Sequence, residues 1–431
     1  MTNLPTRDKK IIWHPFTQEK TAPIVIGIQK AQGSYLYDEQ GKAYLDCISS
    51  WWVTLHGHAH PKIARSIYEQ ALQLEHVIFA GFTHPPAVEL CEGLQSLLPP
   101  SLSRFFFSDN GSTAVEVALK MAYQHWQNKK QNQRVLFLSF EGGYHGDTFG
   151  AMSVGQRSGF HDAFSNLLFK VFSIPYPDTW DEDVEVYTKE TLALSVLDEY
   201  LQQHGHTVAA IILEPLIQGA SGMRQCRPSF INTVIERVRE YEILVIFDEV
   251  MTGFGRTGSY FALEQIKSLP DFLCLSKGIT GGFLPLALTI TTQRIYDSFL
   301  NAEWKYAFAH GHSYTANPLA CSAAITSLKL LKEEETQKTI QAIHQAHING
   351  MAYLKNHCSN IEKIRVLGTI SAFELKDNSN LNARLKACFL KEGLLIRPLG
   401  NTIYLLPPYS TTVHELENAY QKIGDVVKML S

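Results

Sequence analysis

Residues 243–258 read ILVIFDEVMTGFGRTG: five apolar residues, the acid pair Asp248-Glu249, then a glycine-rich turn. An apolar run of that length without helical spacing is the pattern of a strand buried on both faces, as in a parallel sheet covered by helices. A carboxylate at the end of such a strand costs free energy unless it meets a cation. Asp248 therefore caps a helix, pairs with Arg256, or faces a bound cation.

The same pattern recurs on both sides. Apolar runs at 104–107, 135–140, 209–213, 272–275 and 286–291 alternate with amphipathic stretches at 113–129, 188–204 and 229–241. Such alternation predicts an α/β fold with a mostly parallel central sheet and crossover helices. Ligands of such sheets sit at the carboxyl ends of the strands. Segments 108–112, 141–147, 214–218, 248–258 and 276–282 each follow a predicted strand and are expected to converge on one rim. Residues 27–46 read as short extended pieces around Gly33 and Gly41. After Asn317-Pro318 a long helical stretch, 318–354, leads into a βαβ-like tail. The expected division is a large domain, 51–325, and a smaller α/β domain built from both termini, 1–50 and 326–431.

Hydrophobic residues make up 45% and charged residues 19% of the 431, with a formal net charge of −4. That is the balance of a globular protein, and without a basic run or stripe it argues against a nucleic-acid partner. The seven cysteines are scattered, with no two inside four residues, which excludes a zinc ribbon or CxxC site and makes a poor disulfide framework. The apolar runs are far shorter than the roughly 18 residues a membrane helix needs. The N-terminal stretch has no apolar core of a signal peptide. The expectation is a reduced, cytoplasmic protein with no membrane partner.

Four elements on the rim suit one cofactor. Lys277, just past an apolar run and followed by Gly278 and Gly281-Gly282, stands where backbone can approach a ligand; its alternative is a solvated loop lysine. Asp248 could keep a pyridine nitrogen protonated. Gly111 and Ser112 open a predicted helix, whose free N–H groups make an anion site, or they form an ordinary N-cap. Tyr144, in Glu141-Gly-Gly-Tyr-His-Gly-Asp147, offers a ring for stacking on a planar heterocycle, or packs beneath its loop. Each is weak alone; their shared placement at strand ends is specific.

The segments DNGSTAVEVALKMA, GGYHGDTFGAMSV, ILEPLIQGASGM, VIFDEVMTGFGRTG, LSKGITGG and HGHSYTANPLACSAA resemble the class III (ω-type) aminotransferases of fold type I, nearly end to end. The resemblance implies pyridoxal 5′-phosphate, with Lys277 as Schiff-base lysine and general acid/base, Asp248 on the pyridine nitrogen and Tyr144 stacked on the ring. It implies phosphate binding by Gly111 and Ser112, with His312 and Ser313 reaching over from a second copy, and hence a homodimer.

IWHPF, CISSWWVTLHGHAHP, HVIFAGFTHPPAVELC and LIRPLGNTIYLLPPY are narrower. They resemble the biotin-pathway branch of that class, which implies 8-amino-7-oxononanoate as acceptor and S-adenosylmethionine, or in some members lysine, as amino donor. It assigns Phe16, Trp51, Trp52, Tyr144, Asp147, Arg256 and Gly311 to the substrate pocket and Arg397 to the substrate carboxylate. Phe16 stands where tyrosine is frequent, and His312-Ser313 where Pro-Thr is common. Another ω-aminotransferase, acting on ornithine, γ-aminobutyrate or β-alanine, would keep Lys277 and Asp248 without needing the tryptophan pair.

Two motifs point elsewhere. Gly253–Gly258 matches GxGxxG, but the first glycine does not directly follow the strand, as a dinucleotide site requires. His56, His58 and His60 alternate as metal ligands might, with no cysteine or acid in the run to complete a site. No metal is expected.

Overall fold

The structure, a computed structural model, describes residues 3–23, 25–155, 162–376 and 382–429. Seven strands form the central sheet: β1 Leu102–Ser108, β2 Leu136–Phe140, β3 Val171–Ile174, β4 Val208–Leu213, β5 Leu244–Asp248, β6 Phe272–Leu275 and β7 Ala287–Thr292, in the order β1-β7-β6-β5-β4-β2-β3. β7 runs antiparallel to both its neighbours, and every other pairing is parallel. The sheet is therefore mostly parallel, as the alternation predicts. β4, β5 and β6 are buried along their whole length. That is why they read as unbroken apolar runs: helices cover both faces and no side of the strand meets water.

Helices Gly111–Asn128, Val186–His204 and Pro228–Glu240 fall where the amphipathic stretches predict them. β3 is an addition. Three of its four residues are only partly buried at the sheet edge, so VFSI lacks the signal of its buried neighbours.

The flanks need two corrections. The 318–354 stretch is two helices, Pro318–Lys332 and Glu334–His357, broken where Glu333 is extended (φ −62°, ψ 133°). Lys329 and Lys332 close the first and Glu334 and Glu335 open the second, each sign matching its helix-end dipole. The tail is not βαβ. Ile361–Leu367 and Ile370–Leu375 form an antiparallel hairpin, and Thr402–Leu405 pairs antiparallel with Ile370–Leu375. Near the N-terminus, Ile28–Gln32, Tyr35–Asp38 and Ala43–Asp46 form a meander whose last strand pairs in parallel with Leu394–Leu395. The two ends of the chain thus share a sheet.

Candidate active site

The carboxyl ends of β1, β2, β4, β5 and β6 bound a cavity of about 540 Å³. Lys277, Asp248, Tyr144, Gly111, Ser112, Asp147, Phe16, Trp51 and Trp52 all line it. Residues expected from four separate rim segments and from the N-terminal flank therefore meet in one place.

At the floor, Asp248 is 4% exposed. Its Oδ2 accepts a hydrogen bond from His145 Nδ1 at 2.7 Å, and its Oδ1 accepts the Val250 N–H at 3.1 Å. It points neither to Arg256 nor to a helix cap. Lys277 follows β6 with φ +44°, a left-handed conformation that costs about 1–3 kcal/mol for a non-glycine residue and needs surrounding structure to hold it. Its Nζ lies 4.9 Å from the centroid of the Trp52 ring. Burial pushes this amine down from the usual lysine range, while Asp248, Glu214 and Asp147 pull it back up.

At the helix start, Asn110 Oδ1 caps the Thr113 N–H. The Gly111 and Ser112 N–H groups, which no helix carbonyl can reach, belong to residues on the cavity wall. A Cβ on Gly111 would come within 2.6 Å of Val250, so a larger residue would push this helix start away. Gly146, with φ +127°, leaves no room for a Cβ beside Ser112, and Ser112 Oγ accepts the Asp147 N–H at 3.0 Å. The Tyr144 hydroxyl donates to Asp147 Oδ2 at 2.8 Å. Free helix-start N–H groups, an aromatic ring, a buried carboxylate and an amine over an indole are the parts that pyridoxal phosphate requires.

The mouth is aromatic. Phe16 and Trp51 have ring centroids 5.7 Å apart, and the Arg397 guanidinium carbon lies 4.6 Å from the Trp51 centroid. Trp52 is buried and donates through Nε1 to the Tyr404 hydroxyl at 3.0 Å. Arg256 is not on the cavity wall. It is 1% exposed, and its guanidinium donates to the carbonyls of Pro407, Thr54 and Trp52 at 2.8, 3.2 and 3.4 Å, tying the tryptophan turn to the C-terminal segment. Gly311 and Ser313 are exposed and His312 partly buried, and none of them lines this cavity.

Two residues escaped sequence reasoning. His145 supports Asp248. Glu214 accepts the Tyr144 N–H at 3.0 Å and the Gly219 N–H at 2.9 Å. Burial pushes the Glu214 carboxyl up to about 7; nearby His145 opposes this, nearby Asp248 adds to it, and the two N–H donors also oppose it. Neither residue lies in a motif that names its partner.

The decoys are resolved locally. Gly253–Gly258 is followed by irregular turns and a single short 3-10 helix, Ala262–Gln265, not by the α-helix a dinucleotide site needs. His58 Nε2 lies 2.8 Å from Asp46, and His56 Nε2 3.2 Å from Ser327 Oγ. Among the described residues no helix is long and apolar enough to cross a membrane.

Known proteins match the chain over nearly its whole length. The family model "Aminotransferase class-III" matches residues 16–427. A Synechococcus elongatus protein named adenosylmethionine-8-amino-7-oxononanoate aminotransferase is 49% identical, over 96% of this chain and 98% of its own. A Helicobacter pylori protein of the same name is 39% identical over 99% and 98%. Among solved structures, the Methanocaldococcus jannaschii protein of that name superposes with a TM-score of 0.90 at 35% identity, covering 99% of this chain and 98% of that one. A pyridoxal-phosphate-bound amine transaminase from an uncultivated Pseudomonas species superposes at 0.91 with 29% identity, over 97% and 99%. With the family model matching residues 16–427, the chain belongs to the class III aminotransferases, pyridoxal-phosphate-dependent transferases of fold type I.

Proposed function

We propose that the chain transfers an amino group to 8-amino-7-oxononanoate, giving 7,8-diaminononanoate for biotin synthesis, with S-adenosylmethionine as donor. The cavity mouth carries this reading: Trp51, flanked by Phe16 and the Arg397 guanidinium, is the surface needed by a long apolar chain with a distal carboxylate. Aromatic rings give rigid apolar area, and arginine pairs bidentately with a carboxylate. The names of the Synechococcus and Helicobacter relatives support the same reaction.

Pyridoxal phosphate, when bound, supplies the electron sink that lets an amine-bearing carbon lose its proton. Gly111 and Ser112 would hold its phosphate, and Tyr144 would give a ring face. Asp248, steadied by His145 and the Val250 N–H, would hold the proton on the pyridine nitrogen. Lys277 Nζ would take a proton from the donor's amine-bearing carbon and return one in the second half of a ping-pong cycle. Trp52, whose ring lies under that amine, would help to keep water from it. His312 and Ser313 of the partner subunit would close the phosphate cup, so the working unit would be a homodimer, which we read as cytoplasmic. Each protomer is read as a large unit, 51–325, and a smaller one from 1–50 and 326–431; the pairing of Ala43–Asp46 with Leu394–Leu395 supports this division.

A second reading keeps the acceptor and takes lysine as donor. It is favoured by Phe16, which brings no hydroxyl to the cavity wall. The test is mass-spectrometric detection of product after the loaded enzyme is mixed with 8-amino-7-oxononanoate and either donor. Diaminononanoate formed with S-adenosylmethionine supports the proposal, and formation with lysine alone moves the donor. Turnover confined to ornithine, γ-aminobutyrate or β-alanine contradicts both.

A further inference from the structure

Asp46, the last residue of the Ala43–Asp46 strand, is completely buried. Its carboxylate accepts four hydrogen bonds. Oδ1 takes the N–H of Ser50 at 2.8 Å and of Ile48 at 3.3 Å. Oδ2 takes the Ser50 hydroxyl at 2.9 Å and His58 Nε2 at 2.8 Å. A carboxylate has about four lone-pair positions, so this one is saturated, as a buried charge must be.

Three of those four donors belong to the turn that carries the tryptophan pair. The turn is strained: Ser49, Ser50 and Trp52 have φ of 50°, 60° and 66°, and Ser50 combines its φ with ψ −78°. None of them is a glycine, and conformations of this kind persist only where surrounding contacts over-determine them. The fourth donor anchors the carboxylate from outside. His58 is held by reciprocal backbone hydrogen bonds with Gly33, at 2.7 and 3.2 Å, so its ring approaches Asp46 from a fixed point on the N-terminal meander. The same strand end also places the arginine of the mouth: Asp46 sits opposite Leu395, two residues before Arg397. Trp52 has a separate tether in Tyr404, and the Ser49 hydroxyl is tied to the Leu406 carbonyl at 2.8 Å. Trp51, 42% exposed at the mouth, makes no side-chain hydrogen bond among the described residues; between Phe16 and Arg397, it is carried on the backbone that Asp46 holds at Ser50.

We propose that Asp46, braced by His58, is a positioning residue for acceptor recognition: it holds the Ser49–Trp52 turn in its strained form and so sets the Trp51 ring beside Arg397. The inference rests on the proposed function, in which Trp51 and Arg397 receive the acceptor. It also gives His58, one of the three alternating histidines, a role as a brace.

The test is steady-state kinetics of the pyridoxal-phosphate-loaded enzyme with the acceptor varied. Asp46→Ala is expected to raise the acceptor KM by about tenfold or more while kcat and cofactor absorbance stay within about twofold, the pattern of a lost positioning contact that does not enter the chemical step. Asp46→Asn, which keeps the Oδ1 acceptor, is expected to recover part of the loss, and His58→Gln to fall between. An unchanged KM in Asp46→Ala overturns the proposal. So does a parallel loss of kcat and cofactor, which would mark a merely structural residue. If Asp46→Ala does not fold, Asp46→Asn and Ser50→Ala carry the same reading through the same split. If the wild-type enzyme leaves 8-amino-7-oxononanoate untouched, the proposed function falls on its own. The KM ratio is then read on the acceptor the enzyme does use, where a ratio near one overturns the clamp separately.

Discussion

Lys277 leaves its strand with a positive φ and sets its amine over the Trp52 ring, in an environment whose burial favours the neutral, nucleophilic form. Lys277→Ala should therefore lower turnover by ~10³-fold or more and abolish borohydride fixation of the cofactor. A variant with wild-type turnover would remove Lys277 from the mechanism. At the mouth, Arg397→Ala should raise the acceptor KM by about 10- to 100-fold, the worth of a charge-assisted bidentate pair, with cofactor affinity unchanged. An unaltered acceptor KM would place the carboxylate elsewhere. Lys277, Asp248, Tyr144 and Ser112 were legible because residue type and strand-end position both speak for them. Glu214 and His145 were not, because each gains its role from a partner 70 or 103 residues away in the chain. Arg256 misled for the opposite reason: a lone arginine near the rim says nothing of the carbonyls that absorb its guanidinium.

Secondary elements were legible in proportion to burial. β4, β5 and β6, buried throughout, announce themselves as apolar runs, whereas the edge strand β3 does not. The break at Glu333 was hidden by helix-forming residues on both sides, although the switch from lysines to glutamates marks it. The second of those helices packs on Val413–Met429 at Gly350, where the Tyr420 ring occupies the space a Cβ would need. In an exposed helix interior glycine to alanine gains about 1 kcal/mol. Here Gly350→Ala should instead destabilise by about 1–3 kcal/mol through overpacking. Urea unfolding would measure it, and a more stable variant would contradict the packing described.

The whole molecule carries opposing buried titrations. Burial pushes His56, His125 and His347 each down to about 3. Their unfolded value is about 6.5, so below that pH the unfolded chain binds protons the folded chain refuses, and stability falls as pH drops. Glu214 and Glu249, pushed up to about 7 chiefly by burial, act in the other direction between about pH 7 and their unfolded values. With three groups against two, the net expectation is a loss of stability from pH 6.5 toward 5. Removing one histidine should reduce it: His347→Gln should lose about 2 kcal/mol less than wild type between pH 7 and 5. Parallel pH profiles would show that His347 is protonated in the fold.

The same scale decides what the cavity is for, since its floor comes from the central sheet, Phe16 and Trp51 close its wall from the N-terminal part, and Arg397 from the C-terminal part lies over Trp51. The most direct measurement is kcat/KM for 8-amino-7-oxononanoate against that for a short keto acid such as 2-oxoglutarate, with one donor and one enzyme preparation. Several buried methylenes at about 0.8 kcal/mol each predict a preference of ~100-fold or more for the long acceptor. Equal values, or a preference for the short one, would contradict the assignment of the Trp51–Arg397 mouth to a long-chain keto acid.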